Sequence, residues 1–367
     1  MHIQSSMVAA LAMLTLAGIA HAQPPSGGAG SSVASAPPRG SVAASSQERR
    51  SGWSRWIRVE AATVAARYRH LQNASGVTTA DQLQLRESLR ARLTLDARER
   101  FSVAIGASSG SGFGPSWNST GIGTGDAAWP FQVRHLSMAV QPAAGIEIQA
   151  GSLEFARGDA TDVTGYDSDG YVAGERVSVR RRDRLGLDEV VVTAGYVGDF
   201  DQPNFFHRSR RLGEWNYAQA LALRRLGKAV SLTGEFERRD GAQVVRASIQ
   251  ARTPRLRAVD AITLEVYGRS KPSDGGFHFG GQKRLGPVAV RAGLAQVDED
   301  TGHANSDRFG AGRRAYLQLS GSVFPNLTVQ LWAGRALGRT AGLRIRTRID
   351  LVAEYDVLGA IRTAAGR

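Results

Sequence analysis

From Leu343 to Tyr355 the chain alternates. Leu343, Ile345, Thr347, Ile349, Leu351, Ala353 and Tyr355 fall on one side; Arg344, Arg346, Arg348, Asp350, Val352 and Glu354 fall on the other. Successive side chains of a strand point to opposite faces, so this segment makes a strand with one apolar and one charged face. The pattern recurs. Leu83, Leu85, Leu89, Ala91, Leu93 and Leu95 oppose Gln84, Arg86, Ser88, Arg90, Arg92 and Thr94, with Glu87 the one charge on the apolar side. Val230, Leu232, Gly234 and Phe236 oppose Ser231, Thr233, Glu235 and Glu237, and Ala315, Leu317, Leu319 and Gly321 oppose Arg314, Tyr316, Gln318 and Ser320. A soluble sheet would need a second layer over so many apolar faces. A closed barrel in an outer membrane gives them to lipid and turns the polar faces to its lumen.

The start of the chain fits export. Val8–Ile19 is an apolar run ending in Ala20-His21-Ala22, a small-x-small cleavage pattern, so residues 1–22 read as a signal peptide. Residues 23–52 are rich in Pro, Gly, Ser and Ala and read as a disordered lead-in. The barrel is expected over 53–357, with 358–367 as a short loose tail. After the signal no apolar stretch of about 18 residues is long enough for a transmembrane helix. Only helices and closed barrels satisfy the backbone in lipid. The chain contains no cysteine, so sheet closure, not disulfides, must hold an exported domain together.

Sixteen candidate strands lie near 57–70, 83–95, 101–109, 131–141, 145–156, 172–182, 187–199, 214–226, 229–239, 242–252, 259–270, 276–284, 287–297, 310–323, 327–337 and 343–357. Fourteen or eighteen would follow from one weak hairpin read differently. Short joins at 96–100, 142–144, 183–186, 226–228, around Pro254, at 285–286 and at 325–326 interleave with a set that includes the long ones, 71–82, 110–130, 157–171, 200–213 and 298–309. Outer-membrane barrels have short periplasmic turns and long outer loops, and an even strand number leaves both termini on the periplasmic side.

On this alternation and loop asymmetry, residues 53–357 resemble bacterial outer-membrane porin-like β-barrels, and Gly165–Arg180 is similar to segments of uncharacterised outer-membrane proteins. The resemblance implies an all-β, closed antiparallel barrel in the outer membrane. Its partners would be outer-membrane lipid, lipopolysaccharide and the barrel-assembly machinery, and a homotrimer is compatible with it. Such barrels usually end in an aromatic residue that the machinery reads; this chain ends in Arg367, and with Tyr355 as the nearest aromatic upstream the signal is expected to be internal, around Ile349–Tyr355.

The formal net charge is +13, and lysine occurs only at Lys228, Lys271 and Lys283, so the excess is arginine. The arginines gather on no single helix or tail, which argues against nucleic acid. Arg86, Arg90 and Arg92, and then Arg344, Arg346 and Arg348, lie on the polar faces of the first and last clear strands. Those strands meet when a barrel closes. Fixed positive charge on one lumen wall would favour anions; pairing with Asp350, Glu354 and Glu235 would neutralise it. The 110–130 loop carries Trp117 and Trp129, which either enter the lumen as a constriction or sugar-stacking surface, or remain exposed. Asp159, Asp162, Asp167 and Asp169 crowd one loop, and Asp167-Ser-Asp-Gly170 has half the pattern of a calcium loop. Asp162, Asp167 and Asp169 are therefore candidates for a weakly bound Ca²⁺ or for ions bridging lipopolysaccharide; no other cofactor is expected.

No catalytic motif is present. Gly121-Ile-Gly-Thr-Gly125 lacks the helix a phosphate loop needs, and His135 with Ser137 is a same-face pair without a recognisable third member. The expected function is a non-enzymatic diffusion channel for small polar, especially anionic, solutes. The thin aromatic content, 7%, and the long loops motivate a second reading, a plugged or structural barrel whose outer loops bind a ligand or partner.

Overall fold

The computed structural model describes residues 56–110, 117–161, 170–180, 186–239, 241–253, 258–271, 273–298, 309–338 and 345–366. Among them the strands are β1 (Ile57–Gln72), β2 (Thr78–Thr94), β3 (Phe101–Ser109), β4 (Asn118–Gly123), β5 (Phe131–Ala143), β6 (Ile146–Glu154), β7 (Tyr171–Val179), β8 (Glu189–Tyr196) and β9 (Tyr217–Leu226). They continue with β10 (Val230–Arg239), β11 (Ala242–Arg252), β12 (Ala261–Ser270), β13 (Ser273–Leu285), β14 (Val288–Val297), β15 (Gly312–Phe324), β16 (Leu327–Ala336) and β17 (Thr347–Asp356). Sixteen of them, all but β4, pair antiparallel with their neighbours. The ring closes where β1 pairs with β17, from Thr63 opposite Asp356 to Gln72 opposite Thr347. Each of the sixteen predicted segments is found as a strand.

The phase of the alternation is the one the sequence indicates. On β17 Ile349, Leu351 and Tyr355 are 36%, 45% and 41% exposed on the outer face, whereas Arg348 and Asp350 are 3% and 5% exposed on the inner one. Glu87 keeps its predicted place among outward leucines. Its backbone N–H donates to Ser109 Oγ at 2.9 Å.

The joins at 95–100, 144–145, 180–188, 227–229, 253–260, 286–287 and 325–326 all lie at the end where β1 begins and β17 finishes. The long ones, which leave β3 at Ser109, β6 at Glu154, β8 at Tyr196, β14 at Val297 and β16 at Ala336, all start from the other end. The 71–82 join is shorter than predicted, because β1 and β2 run on to Gln72 and back from Thr78. Asn73 accounts for this: its side chain accepts from the backbone N–H of Ser75 and Val77, both at 3.0 Å, an Asx-type turn that needs few residues. Gly76 takes the left-handed φ of 82° within it.

Helical segments are confined to the joins and the tail. Helix α1 (Phe205–Arg208) is capped by Asn204, whose side chain accepts from Phe206 N–H. Helix α2 (Val357–Ala364) follows β17 directly, with the Asp356 side chain accepting from Gly359 N–H. The tail is thus helical where a loose end was expected, because an Asp stands at the N-cap position.

Candidate functional site

Closure brings Arg86, Arg90 and Arg92 of the first predicted row and Arg348 of the second onto one wall, with β1 between them. Ala65 is directly opposite Arg86 on β2 and directly opposite Glu354 on β17. A methyl group there lets Arg86 Nη2 reach over it to Glu354 Oε2 at 3.1 Å. Arg92 Nε meets Glu60 Oε1 at 2.8 Å, and Arg90 Nη2 reaches Glu154 Oε1, at the end of β6, at 2.6 Å. Arg348 shares Asp350 with Arg69, at 2.5 and 2.8 Å. So Arg86, Arg90, Arg92 and Arg348 each hold a carboxylate. Arg346 lies outside the wall. It is exposed at the rim before β17 begins, where its backbone N–H donates to Gln72 O. Arg344 falls outside the described residues.

The row on β2 remains open to water: the side chains of Arg86, Arg90 and Arg92 are 23%, 32% and 33% exposed. Because the Arg86–Glu354 pair is partly exposed, at 23% and 35%, it is worth at most about 1 kcal/mol. Ala65, only 1% exposed, holds more. Ala65→Leu is expected to overpack the wall by about 1–3 kcal/mol and to part Arg86 from Glu354. A lowered thermal midpoint together with a shift of reversal potential toward anions would check this.

The opposite wall is sealed. The segment after β6, expected as the tail of a strand to Ala156 and an outer loop from Arg157, turns back into the lumen along β8, β9 and β10. Phe155 packs on Val172, Val197 and Tyr217, its ring edge-on to Tyr217 at 5.6 Å. Ala156 packs on Val191, Leu221 and Leu223, and its carbonyl accepts from Gln219 Nε2 at 2.8 Å. Asp159 is the far anchor, bound by Arg225 Nε and Nη2, both at 2.7 Å, and by Ser231 Oγ at 2.7 Å. Burial alone would push the Asp159 carboxyl up; Arg225 and Ser231 outweigh it and hold it below the ordinary carboxylate value. On the wall nearby, Arg246 is clamped between Glu235 at 2.6 Å and Glu237 at 2.8 Å, all three nearly inaccessible. Glu235 therefore neutralises Arg246 and plays no part in the β2 row.

Further round, the lumen wall is aromatic. Tyr316 stacks parallel on Trp332 at 6.4 Å, bonds His278 Nε2 through its hydroxyl at 2.7 Å, and meets Phe309 edge-on at 5.3 Å. Trp332 lies over Gly334, two residues further along β16 on the same face, where a Cβ would collide with the ring. Gly334→Val is expected to expel the indole into the lumen and cost about 1–3 kcal/mol, seen as reduced conductance and a lower thermal midpoint.

The 110–130 loop divides. Its β4 segment, which the sequence did not indicate as a strand, pairs with β2 at Gln82, Gln84 and Leu85, beyond the Ser88–Thr94 stretch that pairs with β3. This sets Trp117 against the arginine wall, with the guanidinium carbons of Arg67 and Arg86 at 4.2 and 4.6 Å from its ring centre. Trp129 is left 57% exposed.

Asp162, Asp167 and Asp169 fall outside the described residues; Asp159, their neighbour, is occupied by Arg225 and Ser231 and is not available to a cation. Among the described residues no group of His, Asp and Glu is arranged to hold a metal ion. The His135–Ser137 hydrogen bond exists, at 3.2 Å, but His135 Nδ1 has no hydrogen-bond partner among the described residues to orient the ring. Gly121–Gly125 lies in β4 and the turn after it.

Against solved structures, a triple mutant of a Rhodopseudomonas blastica porin superposes with a TM-score of 0.54 at 13% identity, over 82% of this chain and 99% of that one. The fold is that of a porin barrel. A second mutant of that porin gives 0.53 at 11% identity, and a structure from work on asymmetric conductivity of engineered proteins gives 0.52 at 12%, each over the same shares. No protein-family model matches the chain, and no curated protein does. At 11–13% identity the likeness is one of architecture, so the residues of this porin barrel's lumen have to be read from their own geometry.

Proposed function

We propose that this chain is an outer-membrane diffusion channel for small polar solutes with a bias toward anions. The observation that carries this is the water-accessible row Arg86, Arg90 and Arg92 on one wall, facing a lumen whose opposite wall is covered by 155–161. Each guanidinium shares a carboxylate, so the wall is not a bare positive surface and the bias is modest. It arises because the three guanidinium groups are reachable from the water path, whereas Glu235 and Glu237 on the opposite wall are buried against Arg246. The export signal, the lipopolysaccharide contact and the assembly machinery belong to the same reading, and a homotrimer is compatible with it.

The test is the reversal potential of the detergent-folded protein in a planar bilayer under a potassium chloride gradient. Stepwise conductance with an anion-selective potential supports the proposal. Cation selectivity would retain the channel and discard the arginine row as its filter. A plugged barrel is the alternative, favoured by the inward seat of 155–161 and by Phe309, which is 1% exposed; folded protein without conductance would select it.

A further inference from the structure

Resting on the channel reading, we infer that the lumen has a subsite for aromatic carboxylates, formed by Trp117 with Arg86 and continued by Arg90. The extra strand is the reason. β4 takes no part in closing the barrel; what it does is fix Asn118 opposite Leu85 of β2, with the Asn118 side chain buried and accepting from Gly110 N–H at 3.1 Å. Trp117, the residue before it, is thereby held half-buried at the outer end of the arginine row. Arg67 is positioned from behind, because its guanidinium donates to Gln84 at 2.7 Å. Arg86 is positioned from the side by Glu354. The result is an indole ring with two guanidinium groups within 5 Å of its centre, at the point where a solute entering from the long-loop end first meets the exposed arginines.

This combination selects a particular chemistry. A neutral sugar gains from an aromatic face and from guanidinium hydrogen bonds to its hydroxyls, but brings no charge to meet the cations. A small inorganic anion gains from the cations but nothing from the ring. A planar aromatic acid gains from both: its ring packs on the indole, and its carboxylate competes with Glu354 for Arg86 and can then pass to Arg90, four residues along the same face of β2.

The experiment uses the folded full chain in a bilayer, with benzoate and cyclohexanecarboxylate as probes of equal charge and similar size. Benzoate is expected to slow or block the chloride current at a concentration about five- to tenfold lower than cyclohexanecarboxylate, the range of one aromatic contact. Trp117→Leu should abolish that difference and Trp117→Phe should keep most of it, while Trp129→Leu, on the exposed part of the loop, should behave as the parent. Equal block by the two acids in an anion-selective channel overturns the subsite and leaves the channel reading standing. Persistence of the difference in Trp117→Leu also overturns it. Absence of conductance removes the subsite together with the channel reading beneath it; cation selectivity overturns the subsite and the anion bias and leaves the channel.

Discussion

Asp350→Ala is expected to cost about 3–5 kcal/mol, because it removes the carboxylate that two buried cations share. Asp350 accepts from Arg69 Nε at 2.8 Å and Nη2 at 3.0 Å, and from Arg348 Nε at 2.8 Å. The side chains of Arg69, Arg348 and Asp350 are 10%, 4% and 7% exposed, so water cannot replace the lost carboxylate. The site also straddles the closing seam, since Arg69 on β1 faces Asp350 on β17 in direct register. Loss should therefore weaken the pairing that makes the sheet a barrel. The temperature at which the folded, fast-migrating band is lost on gels should fall, and Arg69→Leu/Arg348→Leu/Asp350→Leu should recover much of it, because no charge is then left unpaired. A midpoint for Asp350→Ala within one or two degrees of the parent would contradict the account.

The architecture was legible because every level of the sequence points the same way. Alternation sets which side chains face out, loop length sets which end each join occupies, and even strand number sets the termini. The arginine wall was legible for the same reason: Arg86 and Arg348 have the lumen phase on the first and last clear strands, and closure makes those strands neighbours of β1. What the alternation does not encode is which carboxylate each arginine meets. Glu154 is the clearest case. It sits at the end of β6, with β3 and β5 lying between that strand and β2, and it still reaches Arg90 at 2.6 Å.

The inward segment and β4 were missed for a shared physical reason. Both are short stretches whose conformation is decided by what they pack on, not by their own pattern. Phe155 and Ala156 read as the tail of a strand, and nothing local says that Val191, Leu221 and Leu223 would be waiting for them. A signal was present on the wall instead. Leu221 and Leu223 fall on the lumen face of β9, between Gln219 and Arg225, and apolar side chains on a water-filled wall imply a cover. Asp159 was grouped with the acidic loop because charge runs look alike until a partner is placed. Arg225 is 66 residues away in sequence.

That seat leads to the largest functional effect expected. Phe155→Ala removes a ring that is 7% exposed and packed on Val172, Val197 and Tyr217, a loss of about 3–5 kcal/mol. The barrel ladder is untouched, so the cost should fall on the seated segment, reducing its seating equilibrium constant by about two to four orders of magnitude. Conductance should then rise and become noisy while the thermal midpoint changes little. Asp159→Ala should do the same more weakly, since its pair with Arg225 is 29% and 49% exposed and worth about 1 kcal/mol or less. Acid should mimic it. The Asp159 carboxyl is held below its ordinary value of 3.8, so its contribution is full above that value and is lost as pH falls through the lowered one. Parent conductance should accordingly be flat from neutral pH down to the ordinary carboxylate range and increase only below it, and Asp159→Ala should remove that step. A step near pH 6, or one that survives Asp159→Ala, would assign the acid response to another group and leave the Phe155 seat to be judged on conductance alone.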